Sequence, residues 1–210
     1  MEYHDYVNVF SKSKGTMLPP HCPYDHKIKI EAGMSPPYGL IYSLSEVKQL
    51  ALHKFLNENL ANHFVQPLQS SARVPILFIC KKDGSLCLAV DYCGLNRLTN
   101  KDHYPLPLIP DLLNHLCSAN IYSKVNLHGA YNLVHIAEGD EWKTAFRTCY
   151  SSYKFQVMHY GLTNAPASFQ CFMNDTFKDM LDIFVVVYLD NILIYSNNPA
   201  KHSNHVREVL

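Results

Sequence analysis

A chain of 210 residues, 48% apolar and 17% charged, has the length for one large domain or two small subdomains with a real core, and its composition excludes wholesale disorder. Its formal net charge is zero and it has only four arginines (Arg73, Arg97, Arg147, Arg207), which argues against a strongly basic nucleic-acid binder unless a basic face hides in the neutral total. Seven cysteines without a Cys-x-x-Cys exclude a disulfide framework or zinc knuckle, and the lack of any apolar run of about 18 residues excludes a helical membrane span. The 12 histidines are scattered, and the His202–His205 pair has no cysteine pair to complete a zinc finger. The start Met1-Glu2-Tyr3-His4 lacks the basic and apolar stretches of a signal peptide, so an intracellular location is expected, cytoplasm and nucleus not being distinguished.

Residues 1–36 are rich in Pro, Tyr and His and read as an extended lead segment lying over the domain. Ser43-Leu44-Ser45-Glu46 has the form of a capping box, so a helix is expected from near Ser43 to near Asn62. Its apolar face is Val47, Leu50, Ala51, Leu52, Phe55, Leu56 and Leu60. The runs 75–80 and 86–90, joined through Lys81-Lys82-Asp83-Gly84-Ser85, predict a hairpin with Asp-Gly at its turn. Residues 104–110 carry three prolines and must be extended, with a short helix over 110–117. A strand follows at 121–127 with a turn at His128-Gly129, then a strand pair at 144–148 and 153–157. Asn164 is placed to cap a helix beginning Ala165-Pro166, with the stripe Phe169, Phe172, Met173, Thr176, Phe177 and Met180. A second hairpin spans 183–195 with Leu189-Asp190-Asn191 at its tip. Strands and helices mix without a regular βαβ rhythm or internal repeat, so the expected class is α+β.

The tip of that last hairpin carries the chemistry. Its strands are nearly all apolar, and Asp190 is an ionised carboxylate that must be hydrated, paired or metal-bound. Asp-Asn is also a common tight turn that needs no function.

The wider context resembles the reverse transcriptases of gypsy-type retrotransposons. Tyr188-Leu189-Asp190-Asn191 resembles their Tyr-x-Asp-Asp motif, and Val125-Asn126-Leu127-His128-Gly129-Ala130-Tyr131 resembles a block that reads Leu-Asp-Leu-Arg-Gly-Ala-Tyr. Val90-Asp91-Tyr92-Cys93-Gly94-Leu95-Asn96 is similar to their Val-Asp-Tyr-Arg-Gly-Leu-Asn. Residues 142–148 (Trp-Lys-Thr-Ala-Phe-Arg-Thr) and 161–170 (Gly-Leu-Thr-Asn-Ala-Pro-Ala-Ser-Phe-Gln) match two more blocks. Five blocks in the family's order are far more specific than one short motif.

The resemblance implies a right-hand polymerase fold over 37–210, with fingers at about 37–120 and 137–160 and a truncated palm at about 121–136 and 161–210. It also implies that the family's thumb, ribonuclease H and integrase portions lie beyond this stretch, as expected of a fragment of a polyprotein. It further implies an RNA or DNA template-primer and a deoxynucleoside triphosphate as partners, no membrane, and Mg²⁺ as cofactor. Two such ions clamp the attacking and leaving oxygens during nucleotidyl transfer. The family's three metal-binding aspartates fall on Asn126, Asp190 and Asn191. Two of the three are amides here, so metal binding is expected to be weak and polymerisation slow or absent, unless a neighbour such as Asp91 substitutes. Nucleotide contacts are implied at Lys81, Lys82, Leu127, Tyr131, Tyr160 and Gly161, and template contacts at Asp91, Asn96 and Gln170. The residues alone leave Lys81 and Lys82 equally readable as a solvated turn, Tyr131 as a core aromatic, and Gln170 as facing either template or solvent.

The departures from the family blocks share a direction. Cys22, Cys87, Cys93, Cys117, Cys149, Cys171, His115 and His128 stand where the family carries Arg, and Asn126 and Asn191 where it carries Asp. Each can arise by one cytosine-to-thymine transition, which points to a decaying element. Losing an Arg that paired a buried carboxylate, Asp91 for instance, is expected to strand a charge. A non-catalytic nucleic-acid-binding module and an inactive relic are the alternative readings.

Overall fold

The structure, a computed structural model, describes residues 3–11, 14–69, 72–117 and 119–210. In chain order its regular elements are α1 (Glu46–Ala61), β1 (Val65–Pro67), β2 (Val74–Cys80), β3 (Leu86–Val90), α2 (Cys93–Leu98), α3 (Ile109–Leu116), β4 (Ile121–Asn126), β5 (Phe146–Arg147), β6 (Ser152–Phe155), α4 (Ala165–Thr176), β7 (Val185–Tyr188), β8 (Asn191–Ser196) and α5 (Pro199–Val209). Short 3₁₀ turns interleave with them, two of them at His4–Tyr6 and Lys14–Thr16 inside the segment read as extended. This mixture is the α+β class expected.

The chain divides into two compact units, one of Met17–Asp102 with Tyr131–Ala165, the other of Met1–Thr16, His103–Ala130 and Pro166–Leu210. The first is built on a five-stranded sheet in the order β1-β6-β5-β2-β3. The β2–β3 hairpin is antiparallel from Ile76↔Val90 to Cys80↔Leu86, and Gly84 supplies the positive φ (81°) its turn needs. Phe146, Phe155, Leu52, Leu95, Tyr92, Ile136 and Met158 fill the core. Part of the lead segment belongs to that core: Ile28 is 1% exposed, and Asp140 and Lys143 clamp its peptide. The Ile28 N–H donates to Asp140 Oδ2 (2.7 Å) and the Lys143 ammonium donates to the Ile28 carbonyl (2.6 Å).

Helix α1 differs from expectation at its start. Ser45, not Ser43, is the N-cap, and its side chain makes no capping bond, so the Ser43–Glu46 box does not form. Only Leu52 and Leu56 are buried, while Val47 and Leu50 lie on the exposed side. Asn164 likewise spends its side chain elsewhere than on α4: Oδ1 accepts the Asp102 N–H and Nδ2 donates to the Asn100 carbonyl.

The second unit centres on a three-stranded antiparallel sheet, β4-β8-β7, with α5 packed on β8 and β4 and Gln170 of α4 hydrogen-bonded to β7. Burial alternates along β4, as a sheet with one covered face requires, and β7 is buried at Val185, Val186 and Val187. The register Asn126↔Asn191 places the end of β4 beside the start of β8. Helix α5 begins at Asn198-Pro199, where the Asn198 side chain accepts the Ala200 N–H.

Candidate active site

The β7–β8 hairpin makes a tight turn at Leu189-Asp190, and Leu189 holds a positive φ (52°) that a leucine adopts only under constraint. The constraint is Gln170 on α4. Its Oε1 accepts the Leu189 N–H (2.9 Å), and its Nε2 donates to the Val187 carbonyl (3.2 Å) and to Asn174 Oδ1 (2.8 Å). Asn174 in turn donates to the Tyr104 hydroxyl (2.8 Å). Gln170 is 0% exposed, which corrects the expectation that it faces template or solvent: it is a buried brace for the turn. Asn174 and Tyr104 were not singled out from sequence. The four-residue spacing of Gln170 and Asn174 on one helix face was the available signal.

The turn brings Asn126, Asp190 and Asn191 together. Leu127 contributes its backbone, donating N–H to the Asp190 carbonyl (2.9 Å) and fixing the end of β4 against the tip. Asn126 Nδ2 donates to Asn191 Oδ1 (3.0 Å), and Asn191 Nδ2 donates to Asp190 Oδ1 (2.8 Å). The three side chains thus form one amide-to-amide-to-carboxylate relay. Its formal charge is −1, and one oxygen of the sole carboxylate already accepts an amide proton. A Mg²⁺ ion wants about six oxygen ligands in tight octahedral geometry, and a pair of ions needs several negative charges to offset their repulsion. This donor set does not fit two such ions. Among the described residues no group of three or more His, Cys, Asp or Glu is arranged to hold a metal. Beside the relay, Tyr188, Asn191 and Lys124 border an apolar groove of about 460 Å³ under Leu112, Leu113 and Leu116 of α3.

The other sequence-selected residues lie in the first unit. Lys81 and Lys82 are exposed at the β2–β3 turn, which Asp83 organises by accepting the Ser85 hydroxyl and N–H. Asn96 clasps the loop after β6: Nδ2 donates to the Gly161 carbonyl (2.7 Å) and Oδ1 accepts the Thr163 N–H (2.9 Å). Gly161 sits at φ 96°, where a β-carbon is strained by conformation; the nearest atom to it, on Tyr92, is an ordinary 3.5 Å away. Tyr131 is 7% exposed, with the exposed ring of Tyr160 at 4.4 Å.

Asp91 corrects a further expectation. It is half-buried rather than buried and its charge is not stranded: Oδ1 accepts the Cys93 N–H (3.0 Å). The Cys93 thiol, that N–H and the Arg97 charge hold its carboxyl below the usual range. Next to Gly161, His159 donates Nδ1–H to the Tyr160 carbonyl (2.7 Å), and burial draws its pKa down to about 4.

Residues 79–210 match the family described as reverse transcriptase (RNA-dependent DNA polymerase). The Tf2-7 polyprotein of Schizosaccharomyces pombe is 37% identical over 169 residues, 80% of this chain and 13% of that polyprotein. The Tf2-3 polyprotein of the same yeast matches to the same extent. The chain therefore spans about an eighth of the length of these curated relatives. Among solved structures, the native prototype foamy virus protease-reverse transcriptase superposes with a TM-score of 0.78 at 20% identity, over 98% of this chain and 28% of that one. The foamy viral enzyme in complex with an RNA/DNA hybrid superposes with a TM-score of 0.79 at 18% identity, over 99% of this chain and 28% of that one. Fold and sequence agree, and the chain belongs to the reverse transcriptase (RNA-dependent DNA polymerase) family.

Proposed function

We propose that this chain is the fingers-and-palm part of a gypsy-type retrotransposon polyprotein whose polymerase centre has been disabled. The unit holding β4, β7 and β8 serves as palm and the unit holding the five-stranded sheet as fingers, so that residues 103–120 go with the palm, and 131–136 and 161–165 with the fingers, unlike the division expected from sequence. Thumb, ribonuclease H and integrase portions belong to the longer polyprotein. The substrates of the intact ancestor are a template-primer and deoxynucleoside triphosphates, joined by nucleotidyl transfer with Mg²⁺. Structures of the foamy viral relative in complex with RNA/DNA hybrid and with double-stranded DNA support a template-primer partner.

The observation that carries the reading is the Asn126–Asn191–Asp190 relay at the family's three metal positions. An amide keeps the shape of a carboxylate and one of its oxygens but brings no charge. Its NH₂ group then turns the remaining carboxylate from a ligand into a hydrogen-bond acceptor. Asp91 is no replacement, because Cys93 and Arg97 already engage its carboxylate. The cysteines support the decay half of the proposal. Free cysteine is among the most buried residue types, yet five of the seven here are exposed and two half-exposed. Those are surface places suited to arginine. His115, 3.8 Å from the Asp182 carboxylate, likewise stands where an arginine would pair.

The test is primer extension on an RNA template with Mg²⁺ and then Mn²⁺, comparing the native chain with an Asn126→Asp, Asn191→Asp double variant. Extension by the double variant alone is the expected result. Extension by the native chain at the same rate contradicts the reading.

A further inference from the structure

The series of hydrogen bonds behind the β7–β8 turn starts outside every regular element. Tyr104 stands in the proline-rich segment before α3, and its hydroxyl accepts the side-chain amide of Asn174, 70 positions away (2.8 Å). The tyrosine is half-buried, and Pro105 after it confines its backbone to extended conformations. Tyr104, Asn174, Gln170 and Leu189 all belong to the second unit.

Every bond in the series has a forced direction. The Val187 carbonyl can only accept and the Leu189 N–H can only donate. The Gln170 amide between them must therefore turn Nε2 to Val187 (3.2 Å) and Oε1 to Leu189 (2.9 Å). Gln170 Nε2 has a second hydrogen, and Asn174 Oδ1 accepts it (2.8 Å). That choice leaves Asn174 Nδ2 for the Tyr104 hydroxyl. Turned the other way, Asn174 would set its NH₂ group against that of Gln170, donor against donor. The turn at the end of the series needs such support, since Leu189 sits at a positive φ of 52°. Its neighbour Asp190 follows any movement of the turn, with its carbonyl on the Leu127 N–H (2.9 Å) and its carboxylate on Asn191 Nδ2 (2.8 Å).

We infer that Tyr104 is a positioning residue for the Asp190 carboxylate. Its hydroxyl fixes the Asn174 amide, Asn174 fixes Gln170, and Gln170 fixes the Leu189-Asp190 turn. The oxygen carries the effect, so a phenylalanine that fills the same space does not replace it. Polar groups linked in one low-dielectric series reinforce one another, and loosening one end loosens the other. The inference rests on the reading of Asn126, Asn191 and Asp190 as a disabled polymerase centre, and adds to it a residue three hydrogen bonds from the turn.

The experiment is amide hydrogen exchange by NMR on the native chain, Tyr104→Phe and Asn174→Leu, with thermal melts to establish that each is folded. Primer extension by the Asn126→Asp, Asn191→Asp double variant, with and without Tyr104→Phe, accompanies it. Tyr104→Phe is expected to speed exchange of the Leu189 N–H about fivefold, the factor that one hydrogen bond of ordinary net strength is worth. Amides of the β2–β3 hairpin should keep their rates, and Asn174→Leu should speed Leu189 at least as much. In the double variant, Tyr104→Phe is expected to lower kcat by a similar factor and to leave KM for the deoxynucleoside triphosphate unchanged, the mark of a misplaced group and not of lost binding. Leu189 exchange unchanged in both Tyr104→Phe and Asn174→Leu overturns the inference whatever the extension assay gives. Faster exchange with kcat unchanged also overturns it, because the turn then loosens without moving the carboxylate. Exchange that speeds equally throughout the chain assigns Tyr104 to general stability and contradicts a positioning role. A double variant that extends no primer counts against the polymerase reading, and Leu189 exchange in the native chain then decides for or against Tyr104 by itself.

Discussion

At the scale of single residues, the meeting of Asn126, Asp190 and Asn191 was legible in the sequence because their neighbours are distinctive. Tyr188, Leu189, Gly129 and Tyr131 frame Asn126, Asp190 and Asn191 in a fixed order, and the Asn126↔Asn191 register brings the ends together. What stayed hidden is the direction of individual side chains. Gln170 could be placed on α4 from sequence, but which way its amide turned depends on where the β7–β8 turn leaves an unmatched N–H. Its role gives a specific prediction. Gln170→Ala removes the acceptor for Leu189 and a donor to Val187 in a fully buried setting. The expected cost is about 3 kcal/mol in urea unfolding, since an orphaned buried polar group costs roughly 1–3 kcal/mol. A loss under about 0.5 kcal/mol, the level of an ordinary surface change, would show that the turn holds itself.

Among elements, the hairpins were readable, while strand β1, helix α2 and the helix ends were not. Asp83-Gly84 and the apolar runs beside it dictate β2–β3 by local chemistry alone. Helix α1 starts later than its Ser-x-x-Glu pattern implies, because packing of Leu52 and Leu56, not a cap, sets its place. Helix α5 was missed, although Asn198-Pro199 was a usable start signal. Its attachment to the sheet is polar. Ser123 Oγ meets His202 Nε2 (2.8 Å), while Ser196 Oγ meets His202 Nδ1 (2.8 Å) and His205 Nδ1 (2.7 Å). No periodicity reports such a network, since it draws on β4, β8 and α5 at once. His202 is 5% exposed, so His202→Leu leaves two hydroxyls against an apolar side chain. A loss of about 2–3 kcal/mol is expected in denaturant titration. An unchanged midpoint would mean the network adds nothing to holding α5.

For the molecule as a whole, the sequence conveyed class and family well and internal accounting poorly. Residues 1–36 read as an extended segment over the domain because they are rich in proline, yet His26 and Ile28 are core, and Asp140 and Lys143, more than a hundred positions away in sequence, hold Ile28. That burial makes stability depend on pH. Desolvation lowers the His26 pKa from 6.5 to about 4 against the pull of Asp140 and Asp102, and His159 is lowered to about 4 in the same way. Between those limits the unfolded chain binds protons that the folded chain refuses. Stability from these groups is therefore complete above pH 6.5 and is lost as pH falls toward about 4, by about 3 kcal/mol for His26. Urea midpoints should fall steadily over that window, and His26→Gln should flatten the slope. A midpoint constant from about pH 7 to pH 4 contradicts it.

On the function proposed above, the centre is short of carboxylates and not of a fold. The most direct measurement is calorimetric titration of Mn²⁺ into the native chain and into the Asn126→Asp, Asn191→Asp variant. No saturable site is expected in the native chain and a saturable one in the variant, where three carboxylates meet at the tip of the β7–β8 hairpin. Equal and tight binding to both proteins would contradict it, because the amide relay would then be no obstacle to the metal.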